Sequence, residues 1–402
     1  MRRRLAIVLS HPIQHFCPLY AAWARSSDWD IHVFFGSRAG SVPYEDANFG
    51  KTISWGGLGL DRFTHTFVNG DAAPVVSSAL DAPGLDRELR AFAPHALLTY
   101  GYDQQLQRRA QAWARRHRVP LLFFSDGELR HRRPIWKSAL KSLVVRWIFG
   151  RIDWFIVTGN ANEEYYRHYG VRPSRMIRGS YPIDRQTYRD AYARRAALRQ
   201  ETRRRLGLHD DECVVAMVGK LVAWKRQGDL LAAVARMTSG HAAALVIGTG
   251  PKESEWQANS PSDATHRFIF TGFVPAEQLP ELYAAADVYV HASEKEPHSV
   301  AVSEAIYMGL PVVISDRCGS YGMDDDVRTG VNGFVYPCGD VACLASRLDW
   351  LNSNPAARHA MGQASHHIGA RQQDVIYDEV LATLGTLLNS LDDGRLERSP
   401  PL

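Results

Sequence analysis

The chain has 402 residues, more than a single hydrophobic core ordinarily organises, so two domains are expected. Hydrophobic residues make up 45% and charged residues 22%, a balance that excludes a disordered chain. Net charge is only +4, with 47 Lys+Arg against 43 Asp+Glu, which excludes the basic face of a nucleic-acid binder.

In chain order, the basic start at residues 2–4 leads into an apolar run at 5–9 that His11 and Pro12 end. That run is too short for a signal peptide and reads as a first buried strand. Further short apolar runs at 31–35, 96–99, 121–124 and 154–157 alternate with amphipathic helical patterns such as 106–116 and 161–169. Continuous apolar strands separated by helices imply a parallel sheet covered on both faces. Residues 129–151 mix Arg130, Arg132, Arg133, Lys137, Lys141 and Arg146 with Trp136, Trp147 and Phe149. They read either as one long helix packed on the first domain or as a peripheral contact with an anionic membrane.

A charged stretch, 185–205, follows as linker and first helix, and its arginines at 203–205 read as solvated surface. Strand patterns then restart at 214–218, 244–247, 268–270, 288–291 and 312–315. Two such series predict an α/β protein of two doubly wound, Rossmann-like domains facing each other across a cleft. The expected divisions are 1–184, 185–368, a helix at 369–392 crossing back to the first domain, and a disordered tail at 393–402. Nothing approaches the roughly 20 apolar residues of a membrane span, so a cytoplasmic protein is expected. The five cysteines are scattered without metal-ligand spacing, and neither an aspartate-x-aspartate motif nor a His/Cys cluster is read, so no metal site is expected.

The chemistry concentrates in residues 292–315. Glu296 falls in a loop at the carboxyl end of a predicted strand, where open α/β sheets bind ligands. Glu304 falls in the second turn of the next helix, whose first N–H groups, from Ser299 through Val300 to Val302, can hold anionic oxygen. Each carboxylate can accept hydrogen bonds from the vicinal hydroxyls of a ribose or a hexose. For either acid taken alone, a solvated surface position is the ordinary reading.

The order Glu296, Glu304, Ala305, Gly309, Pro311, Val312 resembles the family 4 retaining glycosyltransferases of the GT-B fold (glycosyl transferases group 1). Residues 218–226 look like that family's diphosphate-binding segment, which makes Lys220 and Lys225 its two cations. Gly248 lies in a Gly-x-Gly turn after a predicted strand, and the backbone of Phe273 and Val274 falls where the family flanks the nucleobase. Tyr283 and Asp287 read as structural. His298 and Ser299 stand where the family has Phe-Gly, so an unusual sugar preference is expected.

Gln14 and His15 follow the first strand in place of a glycine turn and become candidates for donor or acceptor contact. His11, His15, Asp126 and Glu128 are the acceptor candidates, with turn capping the alternative for the two acids. The resemblance implies transfer from a nucleotide-diphosphate sugar to a hydroxyl acceptor, with retention and without metal or other cofactor. Glu296, Lys220, Lys225 and His15 would form the catalytic group. A nucleotide-sugar epimerase or hydrolase, or a non-catalytic sugar-nucleotide binding module, remains open beside it, as does the oligomeric state.

Overall fold

The computed structural model describes residues 2–46, 51–53, 55–72, 74, 76–130, 135–260, 263 and 265–395, with side chains described outside 44–46, 51–53 and 135–140. In chain order the strands of the first half are β1 (Arg3–Leu9), β2 (Trp29–Phe35), β3 (Tyr44–Asp46), β4 (Lys51–Ile53), β5 (Thr64–Phe67), β6 (Ala96–Tyr100), β7 (Leu121–Phe124), β8 (Trp154–Val157) and β9 (Met176–Arg178). Seven of them form one parallel sheet in the order β5-β2-β1-β6-β7-β8-β9, and β3 pairs with β4 as a separate antiparallel ribbon. The second half contributes β10 (Cys213–Val218), β11 (Ala242–Ile247), β12 (His266–Phe270), β13 (Val288–His291), β14 (Val312–Ser315) and β15 (Gly333–Tyr336). These make a six-stranded parallel sheet in the order β12-β11-β10-β13-β14-β15.

Side-chain alternation explains why each sheet is covered twice. On β1, Leu5, Ile7 and Leu9 enter one core while Ala6 and Val8 enter the other. On β10, Val214 and Ala216 face one core, and Cys213, Val215 and Met217 face the opposite one. Strands buried on both faces must be apolar throughout, which is the pattern that marks them in the sequence. In both sheets the strand order reverses beside the first strand, between β1 and β6 and between β10 and β13. Ligand crevices form at such reversals, because neighbouring connections leave to opposite sides there.

Several local expectations change. The charged stretch 185–205 forms two helices, Arg185–Ala193 and Arg195–Leu206. Arg203 is not surface: only 2% exposed, it donates to the carbonyls of Ala285, His209 and Glu212 and pairs with Asp287. A buried guanidinium is tolerated because its donors are satisfied in this way. The 129–151 segment carries a helix at Ile135–Phe149, with Val145 and Phe149 buried and Leu143, Val144 and Trp147 exposed. Residues 131–134 of that segment lie outside the described residues, as do 396–402 of the expected disordered tail. Among the described residues, no helix is long and apolar enough to cross a membrane.

Two chain crossings join the halves and are tied to each other. The Gln373 amide donates to the Tyr181 carbonyl and accepts from the Ile183 N–H, and the Tyr377 hydroxyl donates to the Ile183 carbonyl. Arg185 pairs with Asp374 and Asp378 across the same junction. Beyond a π-helical turn at Val375–Glu379, the helix Val380–Asp392 buries Val380, Leu384 and Leu388 in the core of the first sheet.

Candidate functional site

The carboxyl ends of the strands meet across a cavity of about 370 Å³ lined from both halves. Gln14, Trp55 and Gly56 come from the first, and Lys220, Gly248, Phe273 and Val274 from the second. Gln14 follows β1, Lys220 follows β10 and Gly248 follows β11, so the cavity lies at the carboxyl ends of the first strands of both sheets. Gly248 adopts φ +132°, and a Cβ there would lie 2.1 Å from the Gly219 carbonyl oxygen. Only glycine lets these two turns nest and bring the backbone to the cavity wall. Phe273 is 52% exposed, a large apolar face left open at the rim.

Glu296 stands beside this cavity, in the loop after β13. Its carboxylate pairs with the Lys225 ammonium, accepts from the Ser293 hydroxyl at 3.2 Å and lies 3.4 Å from His291 Nε2. Burial alone would raise its pKa, but His291 and Lys225 reverse the effect and hold the carboxyl down at about 2. Glu296 is therefore a permanent anion. Burial lowers the pKa of fully enclosed His291, which keeps that ring neutral. The predicted pair of diphosphate cations is thus divided: Lys220 lines the cavity, whereas Lys225 is held by Glu296.

Glu304, on the helix Val300–Tyr307, accepts from the Tyr283 hydroxyl at 2.8 Å. Only 9% exposed, it has a carboxyl that burial pushes up to about 7. Tyr283 thus supports a candidate site residue. Asp287 accepts from Arg199, Arg203 and the Val214 N–H, and so ties a helix to two strands. At the head of the Val300–Tyr307 helix the Ser299 N–H donates to the Ser320 hydroxyl, and the Val302 N–H to the Ser299 carbonyl. The expected four-donor cradle narrows to the N–H groups of Val300 and Ala301, because the loop spends the others on itself.

His298 is buried and stacks on Tyr181 of the interdomain crossing, with ring centroids 5.1 Å apart and 11° between planes. Its Nε2 lies 3.7 Å from Asp325 and 3.5 Å from Asp326, both buried. Burial would lower the histidine pKa, but these carboxylates outweigh it and raise the pKa. This corrects the metal expectation in one respect. Asp324-Asp325-Asp326 is an aspartate-x-aspartate run, and His298, Asp325 and Asp326 offer ligand atoms within 4.8 Å of one another. The carboxylates accept from the Asn160 and Asp326 N–H groups and the Ser303 hydroxyl, whereas both ring nitrogens of His298 are buried without a hydrogen-bond partner. The Asn160 bond reaches into the first domain and fastens the two halves beside the site.

From the first domain, the His15 ring packs at a tilt against Phe16 and Tyr181, and its Nε2 is buried without a partner. Burial, with His11 adding to it, lowers its pKa to about 3. A neutral imidazole so hard to protonate is a weak general base, and its environment suits a hydrogen-bonding role. His11 meets the Ser10 hydroxyl at 2.8 Å. Asp126 is accessible within the cleft, where the surrounding walls and the charges of Glu296 and Glu128 raise its pKa. Glu128 accepts from the Arg130 N–H at 2.5 Å, the turn-capping arrangement weighed for it.

One supporting residue escaped the sequence reading. The Gly319 N–H donates to the Glu296 carbonyl at 2.8 Å, and a Cβ at Gly319 would lie 1.7 Å from the Pro297 oxygen. The Glu296 loop can close down only over a glycine.

With this geometry in place, the relatives become informative. Residues 199–367 match the family described as glycosyl transferases group 1. The matched segment contains Lys220, Lys225, Glu296 and Glu304. Over 389 residues the chain is 24% identical to the EpsD protein of Bacillus subtilis (strain 168), which carries a glycosyltransferase name, covering 93% of each. A GDP-mannose-dependent alpha-mannosyltransferase of Mycobacterium tuberculosis (strain CDC 1551 / Oshkosh) is 32% identical over 133 residues, 33% of each chain. Among solved structures, HepE of Anabaena in complex with UDP and glucose superposes with a TM-score of 0.68 at 18% identity, covering 96% of this chain and 100% of that one. The chain has the GT-B fold, and the stretch that matches the group 1 glycosyl transferases lies in its second half.

Proposed function

We propose that the protein is a retaining glycosyltransferase. It would move a sugar from a UDP- or GDP-sugar to a hydroxyl of a glycan, a lipid-linked precursor or a small metabolite. One observation carries the reading: within the stretch that matches the group 1 family, Glu296 pairs with Lys225, and Lys220 lines a cavity walled by both halves. The HepE complex with UDP and glucose and the GDP-mannose-dependent relative support the donor class.

In this reading the cavity takes the nucleotide, with Phe273 and Val274 beside the base and Glu304 accepting from the ribose hydroxyls. Lys220 and the Val300 and Ala301 N–H groups meet the diphosphate, whose charge grows as the glycosidic bond breaks. Lys225 exchanges part of its bond with Glu296 for the phosphate, which leaves Glu296 to accept from sugar hydroxyls. Gln14, His11, neutral His15, Asp126 and Glu128 face the acceptor side. Catalysis is electrostatic and needs no metal, because lysines and helix N–H groups neutralise the leaving group.

Mixing the protein with UDP-glucose or GDP-mannose and candidate acceptors, with chelator present, tests this. Acceptor-dependent release of nucleoside diphosphate, with the anomeric configuration kept in the product, is expected. Activity lost to chelator and restored by magnesium or manganese would overturn the metal-free step. Acceptor-independent turnover would favour the epimerase or hydrolase reading, and binding without turnover the binding module.

A further inference from the structure

The opposite end of the second sheet carries a cavity that the cleft does not use. It encloses about 560 Å³ and includes Asp287, just before β13, and Pro311, just before β14. It therefore lies at the amino ends of the strands, away from Lys220 and Glu296.

Two helices begin in its wall, Arg195–Leu206 and Pro355–Asp374. Neither has a side-chain cap, and neither has an acidic residue in its first turn. The positive end of a helix dipole favours anions, yet these two ends present Arg195, Arg358 and His359. Arg199 also lines the cavity, and Asp287 is the one acid among its lining residues. Asp287 is already matched by Arg199 and Arg203. Arg195 is left in excess: its Nε is buried without a hydrogen-bond partner. Arg358 spends Nη1 on the Leu351 carbonyl at 3.1 Å and the Asn352 side chain at 3.4 Å. Cations stacked against two helix N-termini in a concave site repel one another unless an anion sits between them.

We infer that this cavity is a second ligand site that binds the phosphoryl group of a small phosphorylated metabolite. Arg195 and Arg358 would donate charge-assisted hydrogen bonds to the phosphate oxygens. The volume falls within the range that small-ligand pockets occupy and exceeds what a bare phosphate needs. The inference does not depend on the function proposed for the cleft.

The test is a calorimetric titration of the full chain with glucose 6-phosphate, with inorganic phosphate as a parallel arm. It is run in a Lys220→Ala/Lys225→Ala background, so that the cleft cations cannot contribute. Saturable binding of one equivalent is expected, weakened on the order of tenfold by Arg195→Gln and partly restored by Arg195→Lys. Because Arg195 Nε bonds nothing, Arg195→Gln should leave the melting temperature unchanged. Arg358→Gln serves as a second probe, with its folding checked by the same melt. Equal affinity for inorganic phosphate would narrow the site to phosphate alone. No saturable binding in the Lys220→Ala/Lys225→Ala background, or binding indifferent to both arginine substitutions, overturns the inference.

Discussion

Glu304 offers the sharpest test of the donor site. In the empty protein, burial lifts its carboxyl from 4.5 to about 7, so near neutrality it is only half ionised. Ribose hydroxyls donating to it would favour the carboxylate, so nucleotide binding should release a proton. One pH unit below 7 only about a tenth of the protein carries the anion, which weakens binding about tenfold, or ~1.4 kcal/mol; above 7 the affinity levels off. Glu304→Gln should remove this pH dependence and cost on the order of 1.5–3 kcal/mol of nucleotide affinity above neutrality. Stability moves the other way. A carboxyl whose folded pKa is raised contributes stability that is complete below its unfolded pKa and is lost as pH rises through the folded one. The empty Glu304→Gln protein should therefore melt higher than wild type above pH 7, with little difference near pH 5. Calorimetric titrations with UDP and GDP, in two buffers of different ionisation enthalpy, would count the released proton directly. Nucleotide affinity with the same pH profile in wild type and Glu304→Gln would refute the placement of Glu304 on the ribose.

Lys225→Ala should abolish most turnover and also lower stability above about pH 4, since it leaves the Glu296 carboxylate buried with only His291 and Ser293 beside it; paired turnover and melting measurements check both effects. Gly319→Ala should displace the Glu296 loop and cost on the order of 1–3 kcal/mol, read by chemical denaturation, with donor affinity falling as well. Truncation before Asp374 strips Ile376, Val380, Leu384 and Leu388 from the first core. At ~1.5–3 kcal/mol for each buried aliphatic side chain, the loss approaches the whole stability of a domain. Limited proteolysis should then find the first half unfolded, whereas ending the chain before Gly394 should leave it folded.

The sheets were legible because double burial forces apolar runs, and β8, β13 and β14 begin and end where their patterns do. Strands that escaped notice are short and lie at sheet edges, β5, β9 and β15, or in the separate ribbon of β3 and β4. The strand read at 244–247 begins two residues earlier, because hydrophobic neighbours on both faces recruit Ala242 and Ala243 into β11. The candidates Lys220, Lys225, Glu296 and Glu304 could be singled out in the sequence because local chain order brings strand ends and helix starts together.

By itself the sequence determined two doubly wound units and singled out the stretch that holds Glu296 and Glu304, since periodicity and turn spacing are local properties. Tertiary structure alone decided which charges neutralise which. It paired Lys225 with Glu296, set His298 against Asp325 and Asp326, and turned Arg203 inward to Asp287. These partners are far apart along the chain, and the energy that selects them arises only once folding removes water from around both charges.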